Sequence, residues 1–136
     1  MKLRIVVFLG LISLYSCNNQ KGQENLISNN NVKYWDVISP RLNNRSLVRG
    51  YCFHKGGHFE YFLYYKGKRY IYGADDIVLD MSWKCLNNSI LILGGKNVRI
   101  LKIARDSFVF QLGDSTVFKL RSSKNQTDTV ISEFHP

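Results

Sequence analysis

Helical periodicity is the first feature that this sequence of 136 residues lacks. No segment longer than a few residues repeats apolar side chains at the spacing of an amphipathic helix between capping residues. The chain instead contains about nine short β-forming runs separated by closely spaced turn signals, from Lys33–Ile38 to Ser115–Leu120. These runs predict an all-β fold, either a small antiparallel barrel or a sandwich.

Catalytic and cofactor motifs are also missing from the sequence. Its serines, histidines, cysteines and acids show no arrangement typical of a nucleophile with its base. Gly94-Gly95-Lys96 has neither the spacing nor the following helix of a phosphate-binding loop. We therefore expect that the protein is not an enzyme and carries no cofactor.

Acidic residues are few, with 10 against 19 lysines and arginines, and the formal net charge is +9. Residues 1–16 contain Lys2 and Arg4 but no acid, so their removal leaves a charge of +7. The remaining basic residues are scattered, as on a solvated β exterior, and we expect no nucleic-acid partner. An alternative role for a basic and aromatic exterior is the capture of a protein partner, as in an inhibitor, an immunity-type protein or an accessory subunit.

Long apolar runs are limited to Ile5–Leu14, which is too short for an ordinary membrane-spanning helix. This run follows a positive N-terminus and ends in Leu14-Tyr15-Ser16-Cys17. That ending resembles the lipobox of bacterial lipoproteins. The resemblance implies that residues 1–16 are a signal peptide and that Cys17 receives diacylglycerol and an amide-linked acyl chain such as palmitate. The alternative is an ordinary signal peptide followed by a chance cysteine.

The resemblance also implies a location, namely the bacterial cell envelope, where the lipid would anchor the chain to a membrane on its periplasmic or surface-facing side. Residues 17–31 are rich in Asn, Gln, Ser and Gly, and they predict a flexible tether without a helix. Residues 32–136 would then form the single folded domain.

The chain from Gly50 to Tyr72 contains the strongest strand pattern. If Lys55-Gly56-Gly57 is a three-residue hairpin loop, His54 faces His58 and Tyr51 faces Tyr61. Because side chains alternate along a strand, one face then carries Tyr51, Phe53, Phe59, Tyr61 and Leu63, and the other carries Cys52, His54, His58 and Glu60. A two-residue loop would mix apolar and polar side chains on each face, so the pattern favours the three-residue loop.

Several elements together resemble the lipocalin-like domains of secreted and lipid-anchored bacterial proteins. They are an early strand with Trp35, the meander from Tyr51 to Tyr72, Trp83 before the run Ile90–Gly95, and the strand pair between Val98 and Leu120. The resemblance implies an up-and-down barrel of about eight strands, open at one end, that binds a small apolar ligand.

A ligand cavity inside such a barrel would be lined by residues of the apolar face. The candidates are Trp35, Tyr51, Phe53, Tyr61 and Leu63. Tyrosine hydroxyls in an apolar cavity suit a lipid or an aromatic molecule, because they supply hydrogen bonds that orient it. The alternative is that these side chains simply fill a small barrel.

The remaining cysteines and the histidines leave alternatives open. Cys52 and Cys85 form an even pair in an exported chain, and a disulfide closing about thirty residues would contribute about 2–4 kcal/mol. Two separate buried thiols are the alternative. His54, His58 and Glu60 are suitable zinc ligands, but a fourth ligand is not evident. We therefore expect solvated histidines and no metal.

Overall fold

The β-forming runs become strands close to the positions that their turn signals indicate. The computed structural model describes residues 20–43, 46–72, 80–124 and 130–131. The strands in this part of the chain are β1 Val32–Ser39, β2 Val48–His54, β3 Phe59–Tyr65, β4 Lys68–Tyr72, β5 Trp83–Cys85, β6 Ile90–Leu93, β7 Lys96–Ile103, β8 Ser107–Leu112, β9 Thr116–Ser122 and β10 Val130–Ile131.

All of these strands belong to a single sheet in the order β10-β4-β3-β2-β1-β9-β8-β7-β6-β5. The nine strands from β4 to β5 are antiparallel and form a curled, up-and-down half-barrel, and the short β10 lies parallel to β4. The sequence prediction of an all-β, up-and-down antiparallel fold is confirmed. The sheet has nine antiparallel strands where about eight were expected.

The β2–β3 hairpin has the register that its apolar pattern predicts. Tyr51 pairs with Tyr61, and Phe53 pairs with Phe59. The His54 amide donates to the His58 carbonyl at 2.9 Å, and Gly57 adopts a φ of +86°. Glycine reaches that conformation without steric cost, so it supports the three-residue loop.

The curl of the sheet brings the start of β5 against this hairpin. Ser82 forms an antiparallel bridge with His58, and the Trp83 amide donates to the Gly57 carbonyl at 2.8 Å. The Trp83 indole also donates to the carbonyls of His54 and His58, each at 3.0 Å. These contacts therefore join the two halves of the sheet at the end of the half-barrel where the β2–β3 hairpin lies. The loop between β1 and β2 lies at the opposite end.

Aromatic rings fill the core between the two halves of the sheet. The Phe53 ring meets the Trp83 ring edge-on at 5.5 Å, and the Trp35 ring meets that of Phe108 at 5.7 Å. Such edge-to-face pairs add about 0.5–1.5 kcal/mol to the free energy gained by burying the rings. The fully buried side chains of this core include Ile27, Trp35, Phe53, Phe59, Leu91, Val98, Phe108, Phe110 and Leu120.

Residues 20–28 form an α-helix, which differs from the predicted tether through Asn31. Ile27 is fully buried in the core, and the Ile27 carbonyl accepts a hydrogen bond from the Trp35 indole at 2.8 Å. The Lys33 ammonium donates to the Leu26 carbonyl at 3.0 Å. These bonds satisfy carbonyls at the end of the helix. Contacts with β1 therefore stabilise a helix that its own polar sequence would not support.

Arg69 is a second departure from the sequence interpretation, which placed the scattered basic residues on a solvated β exterior. Lys66 and Lys68 are exposed, but Arg69 is fully buried on the outer face of the sheet. Its guanidinium lies 3.7 Å from the Tyr34 ring centroid and 4.9 Å from that of Phe62. An exterior patch for a protein partner therefore lacks Arg69.

The predicted signal peptide and Cys17 lie outside the described residues. Within the ranges that are described, no helix combines the length and the apolar character needed to cross a membrane.

Gly50 occupies a position where a larger residue cannot fit. A Cβ atom built there would lie 2.2 Å from the Phe62 ring and 2.3 Å from the Trp35 carbonyl oxygen. Since the backbone oxygen cannot move aside cheaply, Gly50→Ala should lower the free energy of unfolding by about 1–3 kcal/mol or more. Urea denaturation followed by tryptophan fluorescence measures this change.

Gly22→Ala is the matched control for Gly50→Ala, because Gly22 is helical and nothing lies within 4 Å of its added Cβ. We expect this control to stabilise the protein by about 0.5–1 kcal/mol. Equal effects of the two substitutions would contradict the close packing of Phe62 over Gly50.

Candidate functional site

A pocket of about 420 Å³ lies at the end of the half-barrel opposite the β2–β3 hairpin. Strands β1, β2 and β3 supply its walls, and the loop between β1 and β2 supplies two leucines. Its lining consists of Val37, Leu42, Leu47, Arg49, Gly50, Tyr51, Tyr61, Phe62 and Leu63. The lining is mainly apolar, with two phenol groups and one guanidinium as its polar members.

The structure divides the predicted cavity residues into two groups. Tyr51, Tyr61 and Leu63 line the pocket. Trp35 and Phe53 do not, because both are fully buried among the rings of the filled core. Trp35 and Phe53 therefore belong to the filled core, whereas the other three predicted residues line the pocket. All five side chains face inward, and Trp35 even pairs with Tyr51, which pairs with Tyr61. The two groups differ in how completely neighbouring rings cover each side chain.

Tyr51 forms the floor of the pocket, where the open end meets the filled core. Its ring centroid lies 5.1 Å from that of Tyr61 and 5.9 Å from that of Phe110. Burial raises the pKa of both tyrosines above the ordinary value, with a further contribution at Tyr51 from its neighbour Tyr61. Both phenols are therefore neutral at physiological pH and able to donate or accept hydrogen bonds.

Arg49 lies where the apolar pocket meets a second, smaller cavity of about 260 Å³. One of its guanidinium nitrogens donates to the Pro40 carbonyl at 2.8 Å. Its Nε is buried and has no hydrogen-bond partner among the residues that the structure describes. Since an unsatisfied buried donor is costly, this nitrogen is suited to an acceptor on a bound molecule.

The smaller cavity combines apolar and charged side chains. Arg41 and Arg121 line it together with Arg49, and Asp36 is the acid in its wall. Burial raises the pKa of the Asp36 carboxyl, while a hydrogen bond with Ser123 and the charge of Arg121 act in the opposite direction. The two cavities share Arg49, so the apolar pocket adjoins a cavity whose lining includes three arginines and one acid.

A second group of chemically reactive side chains lies on the opposite face of the β2–β3 hairpin. Cys52 Sγ lies 3.5 Å from His54 Nε2, and that nitrogen lies 3.0 Å from Glu60 Oε2. Glu60 Oε1 is 3.7 Å from His58 Nε2. The two histidines therefore contact a shared carboxylate, and their side chains remain partly exposed to solvent.

The structure does not join Cys52 to Cys85. Both thiols are free and buried, and they lie on different faces of the sheet. Cys52 is beside His54 on the outer face of β2, whereas Cys85 belongs to the inner core. The predicted disulfide between Cys52 and Cys85 is therefore not formed, and the two cysteines are separate thiols, which was the alternative interpretation.

Six residues of the pocket were not among the sequence candidates: Val37, Leu42, Leu47, Arg49, Gly50 and Phe62. The sequence from 41 to 46 reads as a polar loop, and Leu42 within it and Leu47 just after it are the available signal that apolar side chains turn inward here. Arg49 follows the alternation of β2, because it has the same parity as Tyr51 and Phe53. This parity indicates that Arg49 lies on the inner face of the sheet, whereas its charge indicates a position in solvent.

Comparisons of the chain with protein-family models, with curated proteins and with solved structures found no match. The geometry of the pocket and of the hairpin is therefore the basis for inferring function.

The free, buried thiols of Cys52 and Cys85 lead to a prediction for chemical labelling. Burial raises the pKa of Cys52 and of Cys85 to about 12. At about pH 8 both are neutral thiols, and neutral thiols react poorly with alkylating reagents. Iodoacetamide should leave both cysteines unmodified in the folded protein and label both after denaturation without reductant, as read by peptide mass spectrometry. A peptide that links Cys52 to Cys85 would contradict this assignment.

Proposed function

We propose that the protein is a non-enzymatic lipoprotein of the bacterial cell envelope whose lipocalin-like half-barrel binds a small apolar or aromatic ligand. The observation that carries this proposal is the pocket at the open end of the half-barrel. Its volume of about 420 Å³ lies within the range of small-molecule sites. Its apolar walls and few convergent polar groups are also typical of such sites.

The polar groups of the pocket support a more specific ligand chemistry. Arg49 has a buried Nε without a partner in the described part of the chain, and the phenols of Tyr51 and Tyr61 are neutral. A ligand with an apolar or aromatic body and one acidic group would match this lining, because the guanidinium binds carboxylate or sulfonate through charge-assisted hydrogen bonds. The apolar body would contact Leu63 and the two tyrosines.

The envelope location is supported by the N-terminal sequence. Lys2 and Arg4 precede the apolar run, and Leu14-Tyr15-Ser16-Cys17 resembles a lipobox. Two or more acyl chains on Cys17 would hold the half-barrel at a membrane, where apolar molecules are concentrated. The pocket and the anchor would then serve the same purpose, which is handling apolar molecules beside a lipid surface.

Leu63→Trp should block the pocket, because an indole in place of Leu63 would occupy the space bounded by Tyr51 and Tyr61. We expect the affinity for the fluorescent aromatic probe anilinonaphthalene sulfonate to fall by about tenfold or more, which corresponds to at least about 1.4 kcal/mol. Fluorescence titration of the purified full chain measures this loss, and mass spectrometry under native conditions measures the ligand retained from its own cells.

Leu101→Trp is the matched control for Leu63→Trp, since Leu101 is exposed on β7 and lies outside the pocket. It adds the same indole and should leave probe affinity unchanged. Equal affinities in wild type, Leu63→Trp and Leu101→Trp would show that the probe binds elsewhere and would argue against this pocket as the ligand site.

Arg49→Gln tests whether the guanidinium recognises an acidic group. Hydrogen bonds to charged partners contribute about 1.5–3 kcal/mol. We therefore expect Arg49→Gln to weaken binding of anilinonaphthalene sulfonate by about tenfold or more, with little effect on its uncharged relative phenylnaphthylamine. Arg99→Gln, at an exposed position on β7, is the control and should change neither affinity. Equal weakening of both probes by Arg49→Gln would contradict recognition of charge.

A further inference from the structure

We propose that the outer face of the β2–β3 hairpin is a transition-metal site in which Cys52, His54 and Glu60 bind a zinc ion. This site shares no side chain with the ligand pocket, because Tyr51 and Tyr61 point to the inner face and these three residues point to the outer face. It replaces the sequence expectation of solvated histidines without a metal. The fourth position would be taken by water or by His58.

The hairpin register assembles the donor groups. Cys52 pairs directly with Glu60, and the His54 amide bonds to the His58 carbonyl at 2.9 Å. Residues separated by two along a strand share a face, so each strand contributes two donors to one surface. The sequence Cys-x-His on β2 is therefore placed opposite His-x-Glu at the start of β3, and the loop at Lys55-Gly56-Gly57 sets this match.

Two of the three distances between donor atoms are close to those of tetrahedral zinc. Cys52 Sγ to His54 Nε2 is 3.5 Å, and His54 Nε2 to Glu60 Oε2 is 3.0 Å. One donor atom from each of the three residues lies within 4.8 Å of the other two. Zinc bonds of about 2.0–2.3 Å in tetrahedral geometry place neighbouring donors about 3.3–3.6 Å apart. The sulfur–nitrogen distance already lies in this range and the nitrogen–oxygen distance is slightly short of it, so rotations of the His54 and Glu60 side chains would bring the three donors around a zinc ion.

The donor set and its exposure indicate the class of metal. A thiolate, an imidazole and a carboxylate together suit zinc, which accepts sulfur, nitrogen and oxygen ligands. Cys52 is fully buried, whereas the side chains of His54 and Glu60 are 39% and 31% exposed. The site therefore has a buried sulfur at its base and an entrance for the ion from solvent.

Burial and the Glu60 carboxylate raise the pKa of Cys52, so the zinc ion itself would have to stabilise the thiolate, with help from two neighbouring groups. The Tyr34 hydroxyl, on the neighbouring strand β1, hydrogen-bonds to the Cys52 sulfur, and the positive charge of Arg69 lies nearby. On zinc binding the thiol would release its proton to solvent, and the Tyr34 hydrogen bond would then orient the thiolate. His58 Nε2 is 3.7 Å from Glu60 Oε1 at the solvent side, where it can turn toward the open position.

Cobalt substitution tests this site directly, because Co²⁺ bound to a thiolate shows charge-transfer absorption that nitrogen and oxygen ligands do not produce. We expect this absorption when Co²⁺ is added to the full chain under reducing conditions, and its loss when Zn²⁺ displaces the cobalt. Cys52→Ala should abolish the band. Cys85→Ala removes the other buried thiol and should retain it.

Glu60→Gln is a second variant for the case in which Cys52→Ala fails to fold. It replaces one carboxylate oxygen of a partly exposed side chain with an amide nitrogen. It should weaken Zn²⁺ affinity by about tenfold or more in competition with a chromophoric chelator. Absence of the charge-transfer band from the folded wild type would overturn the proposal. A band that persists in folded Cys52→Ala, or zinc affinity unchanged by Glu60→Gln, would also overturn it.

Discussion

The register of the β2–β3 hairpin is the constraint on which both candidate sites depend. The loop at Lys55-Gly56-Gly57 needs a residue at positive φ, and Gly57 supplies it. A slip of one residue would send Tyr51 and Phe53 outward and turn Cys52 and His54 into the core. The same hairpin then receives the Trp83 indole and the bridge from Ser82, so its position also determines where the two halves of the half-barrel join.

The junction at the hairpin explains why the interior is full at one end and hollow at the other. Trp83, Phe53 and Phe59 meet where β3 and β5 come together, and the helix at 20–28 adds Ile27 to the same core. At the opposite end the described strands do not close the wall, and the β1–β2 loop contributes Leu42 and Leu47. A curled sheet that closes at one end can thus keep the rigidity of a packed core beneath a pocket.

The sequence predicted the strands and their faces well because both follow from local rules. Alternation and the glycine turn determine which side chains point inward, and the observed pairing of Tyr51 with Tyr61 agrees. Alternation carries no information about which inward-facing side chains neighbouring rings cover completely. For this reason Trp35 and Phe53 could not be separated from Tyr61 and Leu63, although the first two belong to the core and the others to the pocket.

Long-range contacts account for the features that the sequence did not predict. The helix at 20–28 depends on bonds from Lys33 and Trp35, which no local pattern reveals. Arg69 follows a lysine-rich turn, yet it lies between the Tyr34 and Phe62 rings because β1, β3 and β4 align them. The disulfide interpretation required Cys52 and Cys85 to share a face, and the relation between β2 and β5 is set only by the curl of the whole sheet.

The two proposed sites lie on the same pair of strands, and this arrangement has a mechanical consequence. The pair Cys52–Glu60 is adjacent in the ladder to the pair Tyr51–Tyr61. A metal ion that held Cys52 to Glu60 would restrict the separation of β2 and β3 at that rung. The same restriction applies to the tyrosines one residue away, which form the floor and wall of the pocket. Ordering one face would therefore lower the entropic cost of ordering the other, although the two sites share no ligand atom.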